Sequence, residues 1–171
     1  MKANLRQEIQ TLQTTIPKTP RLILYLDDNP LDFELAKYEL KNVAELEFIY
    51  VKNLHDFKEH YEPNKYAAIF CDYKLDVPDG TEILPIVREL EPELPIILIS
   101  GKVGEEKAVE LLRLGITDFV LKEKLVKLPF VLDRVLTEHE NKKNERLMRL
   151  EISQSEEKYR KTLNSIEDVY Y

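Results

Sequence analysis

Acidic residues directly follow an apolar run near the start of the chain, in the segment LILYLDDNP at residues 22–30. Five consecutive apolar residues are typical of a buried strand, so Asp27 and Asp28 are expected where that strand ends. Asp72 ends a second apolar run, in AIFCD. Carboxylates that meet in one crevice either raise one another's pKa or require a cation. Because Mg²⁺ prefers oxygen ligands, the sequence predicts a magnesium site formed by these three side chains.

Two other strand ends supply hydrogen-bond donors. Ser100 ends the run PIILIS and offers a hydroxyl, and Gly101 after it allows another group to approach closely. Lys122 ends DFVLK and supplies one positive charge. Carboxylates, a metal ion, a hydroxyl and a lysine together suit a phosphoryl group carried on a carboxylate, because the cations neutralise its oxygens. Asp72 is then the predicted nucleophile.

The segments between these residues alternate between strand and helix patterns. Asn29 suits a helix N-cap with Pro30 at the first helical position, and Gly115 suits a helix C-terminus. Five strand–helix repeats, with strands apolar on both faces, indicate a parallel sheet covered by helices on both sides. In such sheets, sites form at the carboxyl ends of the strands. The predicted strands are Leu22–Leu26, Leu46–Val51, Ala67–Cys71, Ile96–Ile99 and Asp118–Leu121, and the predicted helices are about Leu31–Lys41, Leu54–His60, Thr81–Leu90, Glu105–Leu114 and Leu125 onward.

Composition and charge bound the class of protein. The 171 residues, 43% of them hydrophobic, are enough for one packed domain with flanking helices. A single cysteine, Cys71, excludes an internal disulfide and fits a reducing cytoplasm, where we expect the protein. The polar N-terminus is unlike a signal peptide, and no apolar run reaches the length of a membrane span. The net charge of −7 is concentrated in residues 21–137, which disfavours nucleic acid as a partner.

The chain divides into four predicted segments. Residues 1–20 form a short amphipathic helix and a linker, and residues 21–137 form the α/β domain. Residues 138–158 form a long exposed helix, and its parallel pairing over 138–160 predicts a homodimer. Residues 159–171 carry an apolar stripe with nothing obvious in this chain to pack against. The stripe consists of Tyr159, Leu163, Ile166 and Tyr170.

Over about residues 21–136, the chain resembles the receiver domain of bacterial two-component signalling. The resemblance implies a flavodoxin-like fold with strand order 2-1-3-4-5. It also implies that Asp72 accepts a phosphoryl group from a phosphohistidine on a histidine kinase or phosphotransfer protein, without classical substrate turnover. The matching residues are the pair Asp27 and Asp28, Asp72, the pair Asp79 and Gly80, Ser100 with Gly101, Phe119 and Lys122.

The same resemblance implies a role for each residue of the crevice. Asp28, Asp72 and the backbone carbonyl of Lys74 would bind Mg²⁺ directly, and Asp27 would act more through water. Ser100 would move to donate a hydrogen bond to the phosphoryl group. Phe119 would follow Ser100 inward and alter the face made by the fourth helix, the fifth strand and the fifth helix, which makes a two-state switch.

Lysines are also expected around the rim of the crevice. Lys74 lies two residues after Asp72. Lys102 lies two residues after Ser100 and directly follows Gly101, which also belongs to the rim. There they would attract anionic phosphodonors and set the lifetime of the acyl phosphate. The alternative interpretation is two solvated lysines.

Two positions depart from the receiver pattern. Asp76 stands where receivers usually have proline, and Glu123 follows the lysine where proline is usual. An acidic residue at the second position resembles receivers of multidomain sensor proteins. The tail SEEKYRKTLNSIEDVYY is similar to the start of PAS sensory domains. The resemblance therefore implies that the chain is the N-terminal part of a longer sensor histidine kinase.

Alternatives remain open at this point. One is a scaffold or pseudo-receiver that binds partners without phosphorylation. Another is an Mg²⁺-dependent phosphate-ester hydrolase, which needs a second acid two residues after the nucleophile, where Lys74 stands. Cys71 is expected to point away from the crevice into the core, and His139 is expected to be a solvated helical residue.

Overall fold

The computed structural model describes residues 20–73, 82–101 and 105–167, without the side chains of residues 105–108 and 164–167. Several predictions therefore lie outside the described residues. These are the helix before residue 17, the placement of Lys74 and Lys102, and the positions of Asp76, Asp79 and Gly80. The side chains of Ile166 and Tyr170, at the end of the apolar stripe, also lie outside them.

Five parallel strands form one sheet in the order β2-β1-β3-β4-β5, which confirms the predicted flavodoxin-like architecture. Each strand agrees with its predicted bounds to within one residue, because apolar runs bounded by polar turn residues mark buried strands clearly. The strands are β1 Arg21–Leu26, β2 Leu46–Val51, β3 Ala68–Asp72, β4 Ile96–Ser100 and β5 Asp118–Leu121.

Helices cover both faces of the sheet. The Asn29 side chain accepts a hydrogen bond from the Leu31 N–H at 3.0 Å, which confirms the predicted N-cap of the first helix. Gly115 has a φ of 106° just beyond the fourth helix, a conformation that favours glycine. The helices are α1 Pro30–Glu39, α2 Leu54–His60, α3 Ile83–Leu90, α4 Glu105–Arg113 and α5 Leu128–Glu167.

The segment after β5 corrects the prediction of a helix from Leu125 onward. A 3-10 helix spans Lys122–Lys127, and α5 begins only at Leu128. Lys124 has a non-helical φ of −128° inside this segment, so the 3-10 helix is kinked there before it continues into α5. The turn buries Leu125 against the sheet immediately after the edge strand ends. The apolar pattern alone does not distinguish that turn from the first turn of an α-helix.

Two apolar layers pack against the opposite faces of the sheet, as strand alternation requires. On one face, Leu24 and Leu26 join residues of α2, α3 and α4. On the other, Ile23 and Tyr25 join residues of α1 and α5. Cys71 is buried in the layer of Leu24, so it points away from the layer of α1 and α5 as predicted.

The long helix α5 has two distinct parts. Its start packs into the domain through buried Leu128, Leu132, Val135 and Leu136, and nearly all described side chains after them are exposed. Ion pairs between residues four apart lie along this helix, with Glu145–Arg149 at 2.6 Å, Glu157–Lys161 at 2.7 Å and Arg134–Glu138 at 3.0 Å.

His139 corrects the prediction of a solvated residue. It is half-buried and lines a groove of about 360 Å³ between α5 and the loops before β3 and β4. Arg146 lies 3.3 Å from Glu93 along the same groove. None of the helices within the described ranges is both long and apolar enough to cross a bilayer.

Candidate functional site

The acids of the predicted crevice meet because β1 and β3 are neighbours. Leu26 pairs with Cys71 in the parallel register, so Asp27 and Asp72 follow side by side at the carboxyl edge. Strand alternation places both on the side of the sheet covered by α1 and α5. Asp27 is fully buried and Asp72 nearly so, while Asp28 is exposed. The structure thus brings together all three carboxylates that were predicted from the sequence to meet in one crevice.

Lys122 reaches into this cluster from the end of β5. Its Nζ donates to Asp72 Oδ2 at 2.8 Å and to Asp27 Oδ2 at 3.1 Å. A third hydrogen bond, to Asp32 Oδ2, measures 2.6 Å. An ammonium group has three protons, so these three carboxylates occupy its full donor capacity. Although burial lowers it, hydrogen bonds to Asp32 and Asp72 hold the pKa of Lys122 above its usual value.

Burial makes the ionised form of Asp27 costly. It raises the pKa of Asp27 to about 6, against a hydrogen bond from the Asn29 N–H that lowers it. The neighbouring charge of Asp72 raises this pKa further, and Lys122 lowers it. One ammonium therefore does not fully offset the packed negative charge, and the cluster favours a further cation.

The donor set suits Mg²⁺. One carboxylate oxygen from each of Asp27, Asp28 and Asp72 can be chosen so that all three lie within 4.8 Å of one another. Opposite ligands of an octahedral Mg²⁺ ion are about 4.2 Å apart, so only small side-chain movements are needed. Hard oxygen ligands with excess negative charge fit this ion. The carbonyl of Lys74, the other predicted ligand, lies outside the described residues.

Ser100 and Phe119 lie on the other face of the sheet, next to the cluster. The Ser100 Oγ is buried and has no hydrogen-bond partner among the described residues. Phe119 pairs with Leu98 in the register of β4 and β5, which places it on the same face as Ser100 two positions along. Phe119 is half-buried against the layer of α2, α3 and α4. Both predicted switch residues therefore share one face.

Gly101 is exposed at the rim, and a Cβ built there would lie within 4 Å of none of the residues that the structure describes. That open space agrees with the predicted approach of another group. The predicted rim lysines, Lys74 and Lys102, lie outside the described residues.

Asp32 is the site residue that sequence reasoning missed. It lies in the first turn of α1, where its Oδ2 accepts a hydrogen bond from Asn29 Nδ2 at 2.9 Å. The signal was present, because an acid three residues after an N-cap faces the same helix end as the cap. Since α1 begins at the carboxyl edge of β1, that helix end lies beside the acid pair.

Comparison with known proteins agrees with this geometry. The sequence model of the response regulator receiver domain family matches residues 23–129. RprY of Bacteroides fragilis, a transcriptional regulatory protein, is 28% identical over 125 residues, covering 72% of this chain and 52% of RprY. The nitrogen assimilation regulatory protein NtrX of Azorhizobium caulinodans is 38% identical over 58 residues, covering 34% of this chain and 12% of NtrX. The chain thus spans only part of these relatives.

Solved structures share the fold. A CheY-like receiver domain protein from Methanospirillum hungatei superposes with a TM-score of 0.57 at 22% identity, covering 70% of this chain and 99% of that one. NtrX from Brucella abortus gives a TM-score of 0.64 at 24% identity, covering 77% of this chain and 29% of that one. The family match extends over more than half of the residues and includes both acid-bearing strand ends. The chain therefore belongs to the response regulator receiver domain family of two-component systems.

Proposed function

We propose that Asp72 is the phosphoacceptor of a two-component phosphorelay. The observation that supports this best is the 2.8 Å contact between Lys122 Nζ and Asp72 Oδ2 inside a cluster of carboxylates. A lysine there offsets the charge of a phosphoryl group arriving on Asp72. The phosphodonor is a phosphohistidine on a histidine kinase or phosphotransfer protein.

In the transfer step, an Asp72 carboxylate oxygen attacks phosphorus and forms a new phosphorus–oxygen bond. The phosphorus–nitrogen bond of the phosphohistidine breaks, and its electron pair stays on the imidazole nitrogen, which then takes up a proton. Lys122 donates to a phosphoryl oxygen, and the Ser100 hydroxyl, which has no partner within the described ranges, is suited to donate to another. Mg²⁺ held by Asp27, Asp28 and Asp72 would supply further neutralisation of phosphoryl oxygens.

The output of this reaction passes through Phe119. When Ser100 moves toward the phosphoryl group, space opens on the face that it shares with Phe119. The half-buried Phe119 ring can then move inward and change the surface beside β5. Phosphorylation in this way biases a two-state element rather than deforming the whole domain.

Intact-mass spectrometry tests the proposal directly. The native chain and an Asp72→Asn variant are incubated with acetyl phosphate and Mg²⁺, and each is repeated in EDTA. We expect one phosphoryl addition on the native chain with Mg²⁺ and none on the variant. An addition that persists in the variant would reject Asp72 as acceptor, and no addition under any condition would favour the scaffold function.

The complete set of acids, lysine and hydroxyl supports phosphoryl acceptance over a scaffold that has lost its chemistry. The hydrolase alternative still lacks a second acid two residues after Asp72, where the sequence has Lys74. We propose that the chain is part of a longer sensor protein in which α5 leads from the receiver at 21–137, through residues 138–158, into a PAS domain from 159 and a histidine kinase. Sequencing the coding region beyond Tyr171 tests this, and a stop codon there contradicts it.

A further inference from the structure

Three carboxylates contact one ammonium at the carboxyl edge of the sheet, and one of them belongs to Asp32. Its oxygen makes the shortest of the three contacts with Lys122 Nζ, at 2.6 Å. It does not belong to the group of carboxylates whose oxygens come within metal-binding distance of one another. The Asp32 side chain is 22% exposed, so it contacts Lys122 from the solvent side. Asp32 therefore acts on the site through Lys122.

Helix capping alone does not account for this placement. Among the described helices, both α1 and α2 begin with an asparagine N-cap. In each, an asparagine N-cap donates through Nδ2 to an aspartate three residues later, at 2.9 Å for Asn29–Asp32 and 3.1 Å for Asn53–Asp56. Asp56 is half-buried, and its carboxylate accepts hydrogen bonds from the Lys52 N–H and from Asn53 Nδ2. Asp32 in addition holds Lys122. Asp56 is thus a matched control for the capping role.

We propose, on the basis of the phosphoacceptor function above, that Asp32 is a positioning residue that restrains phosphorylation of Asp72. It holds Lys122 in the unphosphorylated protein and competes with the phosphoryl group for the ammonium. Because it adds a negative charge beside the other three acids, it also strengthens the attraction of the site for Mg²⁺.

The competition follows from the donor count of Lys122. All three protons of its Nζ already point to carboxylates. With acetyl phosphate, an Asp72 oxygen bonds to phosphorus while the bond from phosphorus to the acetate oxygen breaks, and acetate leaves with the electron pair. The phosphoryl oxygens take over the contact of Asp72 with Lys122, but Asp32 still draws the ammonium toward solvent. Its charge also repels the anionic donor at short range.

Substitution of Asp32 separates the two effects. For Asp32→Asn, we expect the rate of Asp72 loading by acetyl phosphate at saturating Mg²⁺ to rise about fivefold, from removal of one nearby charge. We expect the dissociation constant for Mg²⁺ without phosphodonor, measured by calorimetry, to rise about threefold. Asp32→Glu, which keeps the charge, should load at close to the native rate. Asp56→Asn should leave loading and Mg²⁺ binding unchanged.

The outcomes distinguish failure of the proposed phosphoacceptor function from failure of the role of Asp32. If the native chain is not loaded, the proposed function fails, and the role of Asp32 fails with it. If the native chain is loaded but Asp32→Asn is loaded at the native rate or more slowly, only the role of Asp32 is overturned. Urea unfolding of both asparagine variants measures the shared capping effect. A purely structural role of Asp32 would slow loading and would make Asp32→Asn resemble Asp56→Asn in Mg²⁺ affinity.

Discussion

At the scale of single residues, the site concentrates charge that the fold itself does not favour. Asp27 is fully buried beside Asp72, and its partners are the Lys122 ammonium and the Asn29 N–H. Burial nevertheless raises the pKa of Asp27 to about 6. At neutral pH, Asp27 is therefore an ionised carboxylate that destabilises the metal-free folded state. A bound cation would offset this charge, which agrees with a cation-binding site.

The stability of the metal-free protein should depend on pH through Asp27. The folded state binds the Asp27 proton more tightly than the unfolded state, whose pKa is near 3.8. The loss of folding stability caused by ionised Asp27 is thus absent below about pH 4, grows as the pH rises toward 6, and is complete above pH 6. We expect Asp27→Asn to raise the free energy of unfolding by about 2 kcal/mol at pH 8 in EDTA and by little at pH 4.

Urea unfolding followed by circular dichroism measures this difference. Asp28→Asn is the control, because Asp28 is exposed and its substitution should have a smaller effect. Equal gains at pH 4 and pH 8 would show that the Asp27 charge is not the cause. Saturating Mg²⁺ should reduce the gain, since the cation stabilises only the folded chain that keeps the carboxylate.

At the scale of elements, Arg88 joins the end of α3 to the turn after α4. Its guanidinium donates to the Gly115 carbonyl through Nε at 3.0 Å and Nη2 at 2.6 Å. Through Nη1 it also donates to the Leu94 carbonyl at 2.7 Å. These contacts satisfy backbone oxygens at the amino edge of the sheet, opposite the site. They fix the positions at which β4 and β5 begin. They therefore also fix the positions of Ser100 and Lys122 at the opposite ends of these strands.

Gly115→Ala should destabilise this junction. Gly115 has a φ of 106°, and a Cβ there would lie 3.0 Å from Arg88 Nε. We expect the free energy of unfolding to fall by about 2 kcal/mol, because left-handed strain and displacement of Arg88 add. Gly101→Ala is the matched control, since its Cβ would contact no atom of the described part of the chain within 4 Å. Thermal unfolding of both variants compares them, and equal losses would argue against a role for backbone conformation.

At the scale of the whole molecule, α5 is a domain helix that continues as an exposed one. Its 40 residues correspond to about 60 Å, of which only the start is buried. The exposed apolar side chains on the outer part include Met148, Ile152, Tyr159 and Leu163. Their spacing of four, seven and four residues makes a seam that suits pairing with a second copy.

The seam predicts a dimer that depends on the outer part of α5. We expect the full chain to sediment as a dimer at tens of micromolar, and a chain ending at Lys142 to sediment as a monomer. The shortened chain should keep its free energy of unfolding to within about 1 kcal/mol, because the removed residues are mostly exposed and the Arg146–Glu93 pair contributes little. Monomeric behaviour of the full chain would contradict the paired helix.

Much of the fold followed from local patterns. Apolar runs marked all five strands, Asn29 marked the start of α1, and Gly115 marked the turn after α4. Two features did not follow, because they depend on tertiary packing. The 3-10 turn at Lys122–Lys127 has the same apolar spacing as a helix, and the burial of His139 depends on where α5 leaves the domain.

The sequence by itself determined which side chains stand at the strand ends, because strand length and alternation are local properties. Asp27, Asp72 and Lys122 were all identifiable in this way. Only the tertiary structure decided their contacts, since Lys122 lies 50 residues from Asp72 and 90 from Asp32 along the chain. Those distances close only when β1 packs beside β3 and α1 covers the same face. Non-local packing therefore turned a predicted acid cluster into one lysine shared by three carboxylates.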